Sequence, residues 1–148
     1  GPATTFHRVL WDDADHKHPS AQGSTTVLKS DAEIRRVVLC SGKVYYDLLD
    51  AREAAGIADV YLMRLEQLYP FPARALMQEM ARFPQAELVW AQEEPRNMGA
   101  WTFVEPNLEW VLEQVGARHR RPRYVGRIAA ASSVTRSWGR AMVNGTSA

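Results

Sequence analysis

Apolar positions along the chain change period several times, and each change predicts an element. Val37-Val38-Leu39-Cys40 is a short continuous apolar run, the pattern of a strand buried on both faces. Val44, Leu48, Leu49 and Ala55 then recur at helical spacing up to Gly56. Asp59 to Leu65 is a second β-rich run, and Pro70-Phe71-Pro72 marks a turn and a helix start, since proline suits the first helical turn. Leu76, Met80 and Phe83 form the stripe of that helix. Glu87 to Ala91 is a third strand, Trp101 to Val115 a helix stopped by Gly116, and Arg123 to Gly126 a fourth strand. Strands alternating with helices predict βαβ crossovers, hence an α/β fold with a mostly parallel sheet, helices on both faces and room for one antiparallel edge strand.

The flanks read differently. Residues 1–35 form an N-terminal arm or linker, with a short strand within Thr5 to Trp11 and a polar stretch from Asp12 to Thr25. Residues 36–127 form the αβα domain. Residues 128–148, opening on Ala129-Ala130-Ala131-Ser132-Ser133, are expected to be a poorly ordered tail.

Composition narrows the function classes. The chain has 148 residues, 46% hydrophobic and 24% charged, the profile of one globular domain able to bury its own core. Eighteen Lys and Arg against 17 Asp and Glu give a net charge of +1, so no global field points to nucleic acid or an anionic membrane. No apolar run approaches a membrane span of about 20 residues. The single cysteine, Cys40, excludes an internal disulfide and fits a reducing compartment, and within a strand it is expected to be inert. Gly1-Pro2 in place of an initiating Met suggests a piece cut from a longer protein.

In open α/β sheets, ligands bind beyond the carboxyl ends of the strands. That rule gathers Ser41-Gly42-Lys43, Glu66-Gln67 with Tyr69, Gln92 to Asn97, and Arg127 on one rim. Ser41-Gly42-Lys43 joins a strand to a helix start, where free amides and the helix dipole attract an anion. The plainer reading is that Ser41 is an N-cap, because the long glycine spacing of a phosphate loop is absent. Glu93 and Glu94 can divide acid and base roles only if their environments differ. Adjacent residues at a strand end face opposite sides, so one is expected to pair with an arginine. Arg118, Arg120, Arg121, Arg123 and Arg127 form a basic run with one interleaved aromatic, Tyr124, which favours a solvated edge or ion pairs over nucleic-acid binding. His16 and His18 beside Asp12, Asp13 and Asp15 lack the spacing of a metal site. Trp90, Trp101 and Trp110 read as core or interface aromatics. No catalytic set emerges.

The rim segments also carry a resemblance. VLCSGKVYYDL (residues 38–48), RLEQLYPFP (64–72) and QEEPRNMGAW (92–101), with RPRYVGR (121–127) after them, resemble the C-terminal domain of the decarboxylase component of the 2-oxoglutarate dehydrogenase complex. The resemblance spans Phe6 to Arg127. The family continues past the Gly-Arg pair with proline and then a final helix. Here Ile128 stands in that proline's place, and Ser137 to Ala148 departs from the pattern, as an altered or foreign tail would.

The resemblance implies a transketolase C-terminal-domain-like fold, a three-layer αβα sandwich on a sheet of about five strands. It implies a parent enzyme of the tricarboxylic acid cycle that decarboxylates 2-oxoglutarate and passes succinyl to lipoyl-lysine. Thiamine diphosphate and Mg²⁺ carry that chemistry. They are bound by upstream domains, so this segment is expected to hold no catalytic or cofactor-binding residue, no metal and no activity alone. Implied partners are the upstream domains of the same chain, a homodimer partner and the dihydrolipoyl succinyltransferase component. The implied location is bacterial cytoplasm, or the mitochondrial matrix in a eukaryote. Glu93, Glu94, Asn97 and Trp101 are assigned to interdomain contact. Ser41, Lys43, Arg64 and Gln92 are candidates for an effector or anion site. An apolar patch with Trp101 or Tyr69 at its edge is expected where neighbouring domains are missing. Two other readings stand beside this one: a stand-alone small-ligand-binding module of flavodoxin-like shape, and the equivalent domain of another 2-oxo acid dehydrogenase.

Overall fold

The computed structural model describes residues 8–18, 20, 23–127, 131 and 133–144. The elements are β1 (Val9–Leu10), β2 (Arg36–Ser41), α1 (Gly42–Ala55), β3 (Val60–Leu65), α2 (Ala73–Met80), β4 (Glu87–Gln92), α3 (Trp101–Val115), β5 (Arg123–Gly126) and α4 (Val134–Asn144), with a single 3-10 turn at Asp31–Glu33. The five strands lie in the order β1-β3-β2-β4-β5. β2 to β5 run parallel to one another and β1 is an antiparallel edge strand, so the sheet is mixed.

Strand alternation sorts the side chains into two cores. Val37 and Leu39 of β2, Tyr61 and Met63 of β3 and Leu88 and Trp90 of β4 meet α2 and α3 on one face. Val38 and Cys40, Val60 and Leu62, and Val89 and Ala91 meet α1 and α4 on the other. The result is an αβα sandwich, as the period changes predict. Cys40 is fully buried, its thiol lies 3.8 Å from the Met63 carbonyl, and burial pushes its pKa up, away from reactivity.

Two flanks differ from expectation. The tail expected to be poorly ordered contains α4, which packs on α1 and buries Trp138, Ala141 and Met142. Val134, Trp138, Ala141 and Met142 stand at i, i+4, i+7 and i+8, a full helical stripe. Arg36 closes the far end of α4 by donating to the carbonyls of Met142 and of Val143, the latter at 3.1 Å, with Glu87 3.5 Å away. Cations are favoured at such C-terminal carbonyls. Residues 128–130, 132 and 145–148 of the tail, and Thr5 to His7 of the arm, lie outside the described residues.

The arm is a strap rather than a loose loop. Asp12, Asp13 and Asp15 are buried. Arg52 grips the Asp12 carboxylate with both terminal nitrogens, one at 2.8 Å, and neither side chain is exposed. The same carboxylate accepts the Leu62 N–H at 2.7 Å and the Ala14 N–H at 2.8 Å. The Asp13 N–H donates to the Tyr45 hydroxyl at 2.8 Å. The Asp15 carboxylate accepts from the Tyr61 hydroxyl at 2.6 Å and from Arg82 at 3.0 Å, and Arg82 also holds Asp31 and Glu79. Burial alone would raise the Asp15 pKa; the bonds from Tyr61, the Lys17 N–H and Arg82 outweigh it and hold the carboxyl below its usual value.

Three outcomes test this frame. Removing one member of a buried ion pair costs about 3–5 kcal/mol, so Arg52→Ala and Asp12→Ala each lose that much in urea unfolding, and the double variant loses less than the sum. Trp138→Ala loses about 3–5 kcal/mol, the usual range for emptying a buried tryptophan site, and hydrogen exchange speeds up over α4 before it does over the sheet. Because the folded Asp15 pKa is depressed, its stabilisation is complete above the unfolded value of 3.8 and is lost as pH falls through the folded one. Asp15→Asn is therefore less stable than the parent at pH 7, and the gap closes as the pH of the unfolding series falls below 3.8.

Candidate functional site

Parallel strands in adjacent positions end together, so the carboxyl ends of β2, β3, β4 and β5 deliver residues 41–43, 66–69, 92–98 and 127 to one rim. This is the convergence that the strand-end rule predicts.

At the β2–β3 side, Arg64 organises the rim. Its guanidinium lies over the Tyr45 ring at 4.2 Å and the Tyr46 ring at 5.5 Å, and it faces Glu66 at 3.8 Å. The Glu66 carboxylate in turn sits at the start of α1: a Cβ on Gly42 would stand 3.1 Å from it. The helix N-terminus thus already has an anion, supplied by the chain itself. Ser41 occupies the N-cap position with no capping bond from its side chain. Lys43 is exposed and has no ion pair among the described residues. The four effector candidates therefore split. Ser41, Lys43 and Arg64 cluster around the start of α1. Gln92 stands apart.

Gln92 is 4% exposed, and its amide is used internally. Its Oε1 accepts from Trp90 Nε1 at 2.9 Å and from the Trp101 N–H, the first amide of α3, at 3.0 Å. Its Nε2 lies within bonding distance of the carbonyls of Glu94 (3.2 Å), Pro95 (3.0 Å) and Met98 (2.6 Å). One side chain thereby shapes the whole 93–99 loop and caps a helix, leaving no group to offer a ligand. Gly99, at φ +68°, passes so close that a Cβ would press on both the Gln92 amide and the Glu94 carboxyl at 3.2 Å.

Of the residues assigned to interdomain contact, Glu93, Glu94 and Asn97 are exposed. Glu93 faces Arg127 loosely at 3.9 Å, the arginine partner expected for one of the two carboxylates. The Glu94 carbonyl accepts from the Tyr124 hydroxyl at 2.7 Å. Trp101 is only 2% exposed; it lies under Arg96 at 5.7 Å and near Tyr124 at 5.9 Å, so it supports the rim from below. The exposed edge is carried instead by Tyr69, 66% exposed and packed on Phe103 at 4.5 Å, and by Met98, 57% exposed. Met98 is a residue that sequence reasoning missed, since a methionine inside a polar loop gives no periodic signal. Trp110, read as a core or interface aromatic, is half-exposed on α3. Among the described residues no group of three His, Cys, Asp or Glu side chains can hold a metal ion, and no described helix is long and apolar enough to cross a membrane.

Known proteins match this chain along almost all of its length. The family model described as "2-oxoglutarate dehydrogenase C-terminal" matches residues 1–142. The 2-oxoglutarate dehydrogenase E1 components of Brucella anthropi, Brucella ovis and Brucella abortus are each 61% identical over 132 residues, covering 89% of this chain. The chain spans 13% of the length of these curated relatives. The family match continues past Arg127 through most of α4, so the tail follows the family further than its wording suggests, and this chain belongs to the 2-oxoglutarate dehydrogenase C-terminal family.

Proposed function

We propose that this chain is the C-terminal, non-catalytic domain of a 2-oxoglutarate dehydrogenase E1 component, and that its rim packs against neighbouring domains of the same enzyme. The observation that carries this is the rim itself. Gln92 and the Arg64–Glu66 pair are tied into the chain's own loops, while Tyr69 and Met98 project from the rim. Internally satisfied polar groups beside exposed apolar ones suit a protein interface better than a pocket for chemistry.

The parent enzyme would oxidatively decarboxylate 2-oxoglutarate with thiamine diphosphate and Mg²⁺ and transfer succinyl to lipoyl-lysine on the dihydrolipoyl succinyltransferase component, in the bacterial cytoplasm. The rim does not fit that cofactor. Its carboxylates are dispersed, and among the described residues no three His, Cys, Asp or Glu side chains gather where they could hold a metal ion. In this reading the cofactor is held by the parent's other domains, and the residues here orient and support. The relatives are 2-oxoglutarate dehydrogenase E1 components, which favours 2-oxoglutarate over the equivalent domain of another 2-oxo acid dehydrogenase, and their length disfavours a stand-alone flavodoxin-like module. Effector binding at the start of α1, through Ser41, Lys43 and Arg64, would require an anion to displace Glu66.

Met98→Asp separates the two environments. In the isolated chain an exposed substitution shifts stability by about 0.5 kcal/mol or less. In the full-length enzyme it buries a charge at the interface, so thermal stability and 2-oxoglutarate-dependent activity both fall. Equal behaviour of the variant and the parent sequence in the full-length enzyme would overturn the interface. The isolated chain with added thiamine diphosphate, Mg²⁺ and 2-oxoglutarate is expected to release no CO₂.

A further inference from the structure

The opposite end of the sheet carries a concave surface that the rim reading does not use. A cavity of about 480 Å³ opens there between three distant segments: the approach to β2 (Lys29 to Arg35), the turn before β4 (Gln85) and the connection from α3 to β5 (Arg118, His119). The backbone fixes these segments to one another. The Lys29 N–H donates to the Ala58 carbonyl at 2.9 Å, the Arg35 N–H to the Asp59 carbonyl at 3.0 Å, the Glu87 N–H to the Arg35 carbonyl at 3.0 Å, and the Arg118 N–H to the Pro84 carbonyl at 3.0 Å. The backbone floor of the cavity is thus tied together.

We propose that this cavity binds a phosphate-bearing ligand with two or more negative charges. Lys29, Arg35 and Arg118 line it with His119 and Gln85; Glu33 is the one carboxylate in the lining, and Asp59 stands behind Arg35, in a chain whose overall charge is only +1. Glu33 is itself engaged by the Ser30 hydroxyl at 2.8 Å. Asp59 takes only the Nε of Arg35, at 2.9 Å, which orients the guanidinium without occupying its terminal nitrogens. Arg118 and Lys29 have no carboxylate partner among the described residues. Nor is Arg118 needed at the end of α3, because Arg120 already donates to the Ala117 carbonyl there at 3.1 Å. Arg120 and Arg121 extend the same field beyond the cavity. Lys29 and Arg118 line the same cavity without a carboxylate partner, beside an Arg35 that keeps its terminal nitrogens free, and an oxyanion there would accept charge-assisted bonds from all three. Arginine forks with a lysine and an amide match phosphoryl oxygens in particular. The cavity is small enough for a compact ligand, which favours this over an acidic protein segment.

Pyrophosphate is the probe. Titrated by calorimetry and amide NMR into the chain, and into a full-length E1 component carrying it, it is expected to bind saturably, with shifts at residues 29–35, 85 and 117–121. Arg118→Ala weakens binding by roughly tenfold or more, as loss of a charge-assisted contact requires. The residue is exposed, and an unchanged melting curve confirms the fold. Arg74→Ala, which removes an exposed cation of α2 that lines neither this cavity nor the anion candidates at the start of α1, leaves binding unchanged. No saturation by about 10 mM pyrophosphate, weaker than any millimolar site, would overturn the proposal. So would equal affinity of Arg118→Ala. A glutamate hexapeptide binding more tightly than pyrophosphate would also reject it and assign the surface to an acidic protein partner.

Discussion

The Asp12–Arg52 pair makes the rest of the architecture possible. A parallel sheet must protect its edges, because an uncovered strand offers free N–H and C=O groups to any other chain. β1 pairs with β3 only at Leu65 and Arg64. Further along the same edge the Asp12 carboxylate, not a strand, takes the Leu62 N–H. A buried carboxylate is tolerable there because Arg52 neutralises it, and Arg52 is tolerable because Asp12 and, at 3.3 Å, the Val60 carbonyl occupy its terminal nitrogens. The coupling then reaches the rim. Tyr45 receives the strap at its hydroxyl and presents its ring to Arg64, Arg64 faces Glu66, and Glu66 stands at the start of α1.

Gln92 does comparable work on the other half of the rim. Loops that join a strand to a helix usually leave several amides and carbonyls for water. Here one neutral side chain takes the first amide of α3 and reaches three loop carbonyls, from a strand position where it also receives Trp90. A network satisfied to that degree in a low-dielectric setting holds a single geometry. The consequence for function is direct. The 93–99 loop is presented as a fixed surface, and the groups left projecting are those with no internal task.

The strands and the first three helices were legible because their signals are local. Two cores separated by a sheet demand alternating burial along β2, β3 and β4, and short apolar runs bounded by helical stripes cannot hide that. The strap was illegible for the opposite reason. Asp12 reads as solvent-loving until Arg52, 40 positions away, is known to lie against it. Nothing in the spacing of a polar run reveals a partner at that separation. α4 was missed because two of its buried positions, Ser137 and Ala141, look neutral, although the stripe from Val134 to Met142 was there to be counted. On the rim, the convergence of four loops followed from strand order alone, whereas the division of labour did not. Gln92 looked like a ligand-binding amide and is a structural one, and Trp101 looked like a contact and is a support.

Groups with displaced protonation are often the best pointer to catalysis. One set of them in this chain has a structural cause. Asp15, Asp31, Tyr61 and Arg82 are all displaced, and all belong to one cluster beneath the arm, where each is bonded to another member. Tyr61 spends its proton on Asp15, and Arg82 spreads its donors over Asp15, Asp31 and Glu79. A catalytic group must have a lone pair or a proton to give to something outside the protein. These have given theirs to each other, in the service of fastening the arm to α2 and β3. The direction of these shifts follows from the bonds that fasten the arm to the sheet, so they mark a structural joint.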